Sequence, residues 1–176
     1  MQTHTAVELT APEYFNFATD VIDQWARKRP EAPALWWVDA GTRAEHKYTF
    51  REISALSCQA ANFLRAAGIK RGDRVLVMLP RLPQWWIAML GLIRLGAVPV
   101  PATLLLSPRE VHYRIETAQV SAVIPCGDGI SKVGDFRGIS LIVESAAVGW
   151  IDFDGGIRTA SNVFAAELIR ADDPGI

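Results

Sequence analysis

Four short apolar runs, Val75 to Leu79, Ala97 to Val100, Val120 to Ile124 and Ile139 to Val143, contain no charged residue. A strand that is apolar on both sides must be covered on both sides, as a central strand of a parallel sheet is. Parallel neighbours cannot be joined by a tight turn, so a crossover has to lie between them. Strand alternates with helix from Thr49 to Val143. The pattern predicts an α/β fold, a doubly wound, mostly parallel sheet with flanking helices. Open sheets of this kind bind ligands beyond the carboxyl ends of their strands.

The helices are marked by their ends. Thr49-Phe50-Arg51-Glu52 and Ser107-Pro108-Arg109-Glu110 are capping boxes, in which the hydroxyl and the carboxylate satisfy free amides at a helix start. The first opens a helix with the stripe Ile53, Leu56, Ala60, Phe63 and Ala67, closed by Gly68. The second directs Val111, Ile115 and Ala118 inward. A further helix is predicted from Gln84 to Leu95, stopped by Gly96. Ahead of the sheet, Phe17 to Lys28 reads as a helix capped by Asn16, with Phe17, Val21, Ile22 and Trp25 on its inner face. Arg27, Lys28 and Arg29 complement its dipole and face water. Ala34 to Val38 and Lys47 to Thr49 read as strands, and Ala160 to Ile169 as a closing helix.

Composition removes several function classes. The 176 residues suit one domain, or a domain and a fragment, at ~150 residues per domain. Eighteen basic against 19 acidic residues leave a net charge of −1, which argues against an electrostatic nucleic-acid binder. Cys58 and Cys126 show no metal or redox spacing and fit a reducing compartment as buried thiols. The N-terminal residues have no apolar core for a secretory signal and no arginine before Arg27, so a cytoplasmic location is expected. Leu82 to Leu106 is the most apolar stretch. Arg94, Gly96, Pro99 and Pro101 interrupt it, so a buried helix followed by a buried strand is expected rather than a membrane span.

The search for chemistry returns mostly scaffold. Cys126-Gly127-Asp128-Gly129 with Glu144 has the outline of a dinucleotide fingerprint, but position 132 is Lys and Gly134 comes two residues late. A turn is the expected role. No GxxxxGK[ST], GxSxG or HExxH is present. His4 and His46 are isolated. His112 and Glu116 stand one helical turn apart, and two ligands make no zinc site, so His112 is expected to be exposed or capping. Asp152 and Asp154 flank Phe153 as a turn or strand end would. Trp36-Trp37 and Trp85-Trp86 can line an apolar pocket, with core or interface packing as the default. No catalytic residue and no metal ligand is assigned.

A series of strings then adds a different kind of information: Asn16 to Val21, Pro33 to Val38, Tyr48 to Ile53, Gly72 to Val75, Gly91 to Ala97, Tyr113 to Ile115 and Gly149 to Phe153. With Leu79-Pro80-Arg81-Leu82-Pro83-Gln84-Trp85-Trp86, they make the chain from Tyr14 onward resemble the N-terminal part of an AMP-forming acyl-CoA synthetase. The closest group is the medium-chain synthetases of the adenylate-forming superfamily. The resemblance implies a portion, residues 14–176, of the large N-terminal domain of such an enzyme, with residues 1–13 as a tail. It implies a parent reaction in fatty-acid metabolism that uses ATP, Mg²⁺, CoA and a small-molecule carboxylic acid. The family's phosphate loop would follow Ile176, so no ATP-binding or catalytic residue carries over and no cofactor is expected to bind strongly to this chain. The family places CoA near Ala102 to Ser107. Thr103 and Leu105 are therefore CoA-side candidates, although Leu105 stands where some relatives have a glutamine.

Two readings follow. In the first the chain is the N-terminal piece of an acid–CoA ligase, inactive alone. In the second it is a non-catalytic binding or assembly module, with homo-oligomerisation left open. A small NAD binder using Gly127 and Gly129 is the remaining option.

Overall fold

The computed structural model describes residues 11–175. His4 and most of the expected tail lie outside them. A π-helical turn, Ala18–Ile22, runs into helix α1, Asp23–Lys28. Strands β1, Pro33–Val38, and β2, Glu45–Thr49, form an antiparallel hairpin. Then come α2, Phe50–Ala66, β3, Arg74–Met78, α3, Pro83–Leu95, and β4, Val98–Pro101. Helix α4, Pro108–Thr117, leads to β5, Ala122–Pro125, and α5, Gly127–Val133, to β6, Ile139–Ile142. Strand β7, Ile151–Asp152, and helix α6, Phe153–Thr159, close the series.

Strands β3 to β7 form one parallel sheet in the order β4-β3-β5-β6-β7. The chain leaves β3 toward one edge and returns to β5 on its other side, so β3 and β5 flank a topological switch point. Both faces are covered, as the apolar runs require. Val75, Val77 and Leu79 pack with α2, α3 and α6 residues such as Ala60, Leu64, Leu92 and Phe153. Leu76 and Met78 pack on the other face with Val111 and Val133 of α4 and α5. Helices α2 and α3 meet closely because Gly91 faces Ala60; a Cβ at position 91 would stand 2.6 Å from the Ala60 Cβ. Both capping boxes form as expected. Gly68 and Gly96 take the positive φ that ends α2 and α3.

Arg94, the charge inside the most apolar stretch, is 1% exposed. Its guanidinium donates to both oxygens of Asp23, at 2.8 and 2.6 Å, and its Nε to Ser57 Oγ at 3.1 Å. Ser54 supplies a further donor to Asp23 at 2.6 Å. Burial works against the Asp23 charge, but the Arg94 and Ser54 hydrogen bonds and the Arg94 charge outweigh it and hold the carboxyl below its ordinary range. Asn16 adds a second tie. Its Oδ1 accepts from Ala18 N–H at 3.1 Å, the expected capping role, and its amide donates to the Ile93 carbonyl at 3.1 Å. No helix among the described residues is long and apolar enough to cross a membrane.

Four expectations need correction. The inner face of the first helix is not Phe17 and Trp25, both largely exposed; Ala18, Ile22 and Asp23 face inward, because Asp23 must reach Arg94. Trp25 stacks on Phe50 instead, with 5.7 Å between ring centroids. Cys126 to Gly129 is no simple turn but leads into α5, where Gly129 packs against Pro125 and Met78. Asp152 ends β7, as a strand end was expected to, and what was not expected is that it also caps a helix, α6, its Oδ1 accepting from Gly155 N–H at 3.0 Å. Residues 161–169 contain no helix. The carbonyls of Ser161 and Val163 accept from the Asn62 amide, each at 2.8 Å, and that of Ala160 from Gln59 at 3.2 Å. Side chains of α2 thus hold this segment extended despite its helix-forming composition.

Candidate functional site

The carboxyl ends of β3 and β4 open into a cleft of about 900 Å³. Leu79, Pro80 and Arg81 follow β3 and form its floor, and Pro101 to Leu104 follow β4 on one side. Strand β1 contributes Leu35 to Val38, and the first turn of α3 contributes Trp85 and Trp86. Both tryptophan pairs therefore meet at one site, although about 50 residues separate them in sequence.

Hydrogen bonds and ring contacts fix the walls. Trp37 Nε1 donates to the Arg81 carbonyl at 2.8 Å, which ties the hairpin to the end of β3. Trp85 and Trp86 meet edge to face, with centroids 4.6 Å apart and planes at 82°. Trp36 Nε1 donates to Glu45 Oε2 at 2.7 Å, and the Lys47 ammonium sits 4.2 Å from the centroid of the Trp36 rings. Trp36 and Lys47 are direct cross-strand partners, so the register of the hairpin places that cation. Arg81 makes no ion pair among the described residues.

Of the two CoA-side candidates, Thr103 lines the cleft, and its Oγ1 accepts from Leu105 N–H at 3.2 Å. Leu105 is not among the lining residues and is 92% exposed. The Lys132 ammonium of α5 donates to the Leu104 carbonyl and pins this loop. Arg81 was not singled out in the sequence as a site residue. Its signal was its place between two prolines and just before a tryptophan pair.

The carboxyl ends of β5, β6 and β7 differ in kind. Glu144, two residues after β6, adopts φ 56° and donates its N–H to Asp154 Oδ2 at 2.8 Å. Gln84 Nε2 donates to Asp154 Oδ1 at 3.1 Å, and Gln84 Oε1 is buried with no donor. Burial first, then the charges of Asp154 and Asp39, pushes the Glu144 carboxyl above its ordinary range. Asp152 and Asp154 are both engaged with backbone or amide donors, so the structure does not bring them together as an acid–base pair. His112 Nε2 lies 3.1 Å from the Val133 carbonyl and caps α5. Among the described residues, no group of three or more His, Cys, Asp or Glu is placed to hold a metal ion.

A second groove, of about 960 Å³, runs along the outer side of α3 between Phe15, Phe17, Met89, Ile93 and Ile169.

Comparison with known proteins adds to this geometry. A family model described as AMP-binding enzyme matches residues 22–156. Acyl-coenzyme A synthetase ACSM2, mitochondrial, of Rattus norvegicus is 39% identical over 165 residues, 86% of this chain and 29% of that protein. Acyl-coenzyme A synthetase ACSM2B, mitochondrial, of Homo sapiens is 40% identical over 163 residues, 85% of this chain and 28% of that protein. The chain thus spans about three-tenths of the length of these curated relatives. Among solved structures, the anthranilate CoA ligase AuaEII in complex with anthranoyl-AMP superposes with a TM-score of 0.81 at 24% identity, covering 93% of this chain and 32% of that one. An acyl-CoA synthetase of Brucella canis gives 0.82 at 24% identity, with 91% and 30% covered. These likenesses establish the fold.

Proposed function

This chain belongs to the AMP-binding enzyme family, and from that premise we propose that it forms the N-terminal α/β portion of an ATP-dependent acid–CoA ligase. Such an enzyme joins a carboxylic acid to AMP with release of pyrophosphate and then transfers the acyl group to CoA. The observation that carries the reading is the run of 37–40% identity, over 85–93% of the chain, with proteins named acyl-coenzyme A synthetases. Residues 14–176 are taken as one α/β unit. The backbone pairing of Glu13 and Phe15 with Ala171 and Ile169 ties the two ends of that unit together.

The described residues do not fit a nucleoside triphosphate. Gly127 and Gly129, the only candidate phosphate cradle, sit at and within the start of α5. A Cβ at 129 would stand 2.6 Å from Pro125 and 2.9 Å from Met78, so Gly129 serves packing and not ligand approach. Residues 102–107 offer two hydroxyls, Thr103 and Ser107, and no cation toward the phosphates of CoA; Ser107 is engaged with Glu110 in its capping box, and Lys132 with the Leu104 carbonyl. Thr103 and Leu105 remain CoA-side candidates through their loop alone. A reducing compartment, the cytoplasm, is proposed on the two free thiols, Cys58 and Cys126.

The 176-residue chain is expected to give no ATP–pyrophosphate exchange, because the groups that stabilise charge on a transferring phosphoryl centre are not among its described residues. The polypeptide encoded at its locus is expected to form acyl-CoA from a carboxylic acid with an apolar body. Exchange by the 176 residues alone overturns the division of labour, and failure to form any thioester overturns the ligase reading. A second reading, a binding or assembly module, is supported by the mutual consistency of the caps, turns and apolar stripes, with both capping boxes formed. Under it the chain alone is soluble and melts cooperatively as a monomer, and aggregation counts against it.

A further inference from the structure

The hairpin of β1 and β2 has two strands only, short of the three or more that let a sheet stand by itself. Its inner face is held by the body of the protein. Leu35 and Tyr48 pack with Ile53 and Leu90, and Trp37 is bound to the Arg81 carbonyl. Its outer face, with Trp36, Val38, Glu45 and Lys47, is open; Trp36 is 61% and Val38 51% exposed. The outer edge of β2 is open as well. Asp39 N–H donates to the Ala44 carbonyl at 2.8 Å and Phe50 N–H to the Ala32 carbonyl at 3.1 Å, so the even-numbered residues face β1 at both ends of the ladder. Alternation turns the N–H and C=O of Glu45 and Lys47 the other way, and no described residue bonds them there. A row of such groups is a template for another strand.

We propose that β2 pairs antiparallel with β2 of a second copy of this chain, about a two-fold axis between the two His46 residues, so that two hairpins become one four-stranded sheet. The charges select this partner. In that register Glu45 stands opposite the partner's Lys47, and Lys47 opposite the partner's Glu45. These are the residues with free backbone groups, so each pair exchanges two backbone hydrogen bonds and sets opposite charges side by side. Glu45 Oε2 is taken by the Trp36 indole, which leaves Oε1 to accept the partner's ammonium. Moving the axis by one residue destroys the match. Centred on Lys47, two ammoniums oppose each other; centred on Glu45, two carboxylates do, and Arg43 meets the partner's Lys47. His46 faces its own copy, and its ring is turned onto Tyr48, with 4.3 Å between centroids. Strand β1 carries no charge and offers no such complement. The contact is isologous and closes at two chains. It goes beyond the ligase reading and involves none of that reaction's substrates.

Sedimentation equilibrium of the 176-residue chain tests it, and a reversible monomer–dimer equilibrium is expected. Lys47→Glu sets carboxylate against carboxylate across the axis, and Glu45→Lys sets ammonium against ammonium. Each is expected to weaken association about tenfold or more. Both side chains are exposed, so the thermal midpoint by circular dichroism is retained. Mixed in equal amounts, the two variants are expected to pair with each other as tightly as the unmodified chain pairs with itself. Cross-linking reads the register directly. The two position-46 Cα atoms stand about 4.5 Å apart, within reach of a disulfide. His46→Cys is expected to give a covalent dimer on mild oxidation, where the unmodified chain, with Cys58 and Cys126, gives none. A chain that stays monomeric up to about 1 mM, a dimer that both charge variants leave intact, or a His46→Cys chain that associates without cross-linking overturns the proposal. Failure of thioester formation leaves this dimer untouched, and a monomeric chain leaves the ligase reading untouched.

Discussion

Two ion pairs of the same chemistry sit in opposite surroundings. Arg94 and Asp23 are 1% and 20% exposed in their side chains, while Arg51 and Glu31 are 65% and 72% exposed. The buried pair joins α1 to α3, is completed by Ser54 and Ser57, and keeps the guanidinium from water while the carboxylate retains a narrow exposed edge. The exposed pair joins the turn before β1 to the start of α2 and is screened by water. In this protein a charge in an apolar run is thus a tether, and a charge on the surface is largely solvation.

The largest expected effect comes from breaking the tether on one side. Arg94→Ala leaves Asp23 half-buried without its partner and should destabilise the chain by about 3–5 kcal/mol, measured by urea denaturation. A loss no greater than that of an exposed substitution would place Asp23 in water in the folded state. Acid provides a graded version. The Asp23 carboxyl is held below its ordinary range in the fold, so its contribution is complete above its unfolded value and fades as pH falls below about 4. Glu144 has the opposite sign. Its carboxyl is pushed up in the fold, so its ionisation opposes folding as pH rises past its unfolded value. Glu144→Gln should accordingly raise the melting temperature slightly at pH 7 and leave it unchanged in acid. A local device of intermediate size is the α2 cap: Thr49→Ala removes the acceptor for Glu52 N–H and should cost about 1 kcal/mol. The smallest effect is Arg51→Ala, expected to leave the denaturation midpoint unchanged within error. A clear loss there would make the hairpin, and not the core, the point at which α2 is secured.

The same contrast explains what could be read from the residues. Thr49 with Glu52 and Ser107 with Glu110 are local signals, and the helices begin where they say. The uncharged runs mark β3 and β5, where double-sided burial leaves its trace in composition, and also β6 and the edge strand β4, which are only partly buried. Residues 161–169 were misread because their conformation is imposed by Asn62 and Gln59, about 100 positions away. Helix α6 was hidden by Gly155 and Gly156; the second is there because a Cβ would collide with Phe63. The aromatic cleft was half visible. Each tryptophan pair stood out, but nothing local shows that β1 and α3 face each other across the end of β3.

The clasp between the N-terminal helix and α3 also bears on synthesis. Asp23 leaves the ribosome 71 residues before the arginine it pairs with. At about 5–20 residues per second, Asp23 waits about 4–14 s for its guanidinium, with only α2 at hand to cover Ala18 and Ile22. During that interval the opening segment of the nascent chain is a candidate client for whatever binds short apolar helices. Its clasp with Arg94 closes only after α3 has emerged.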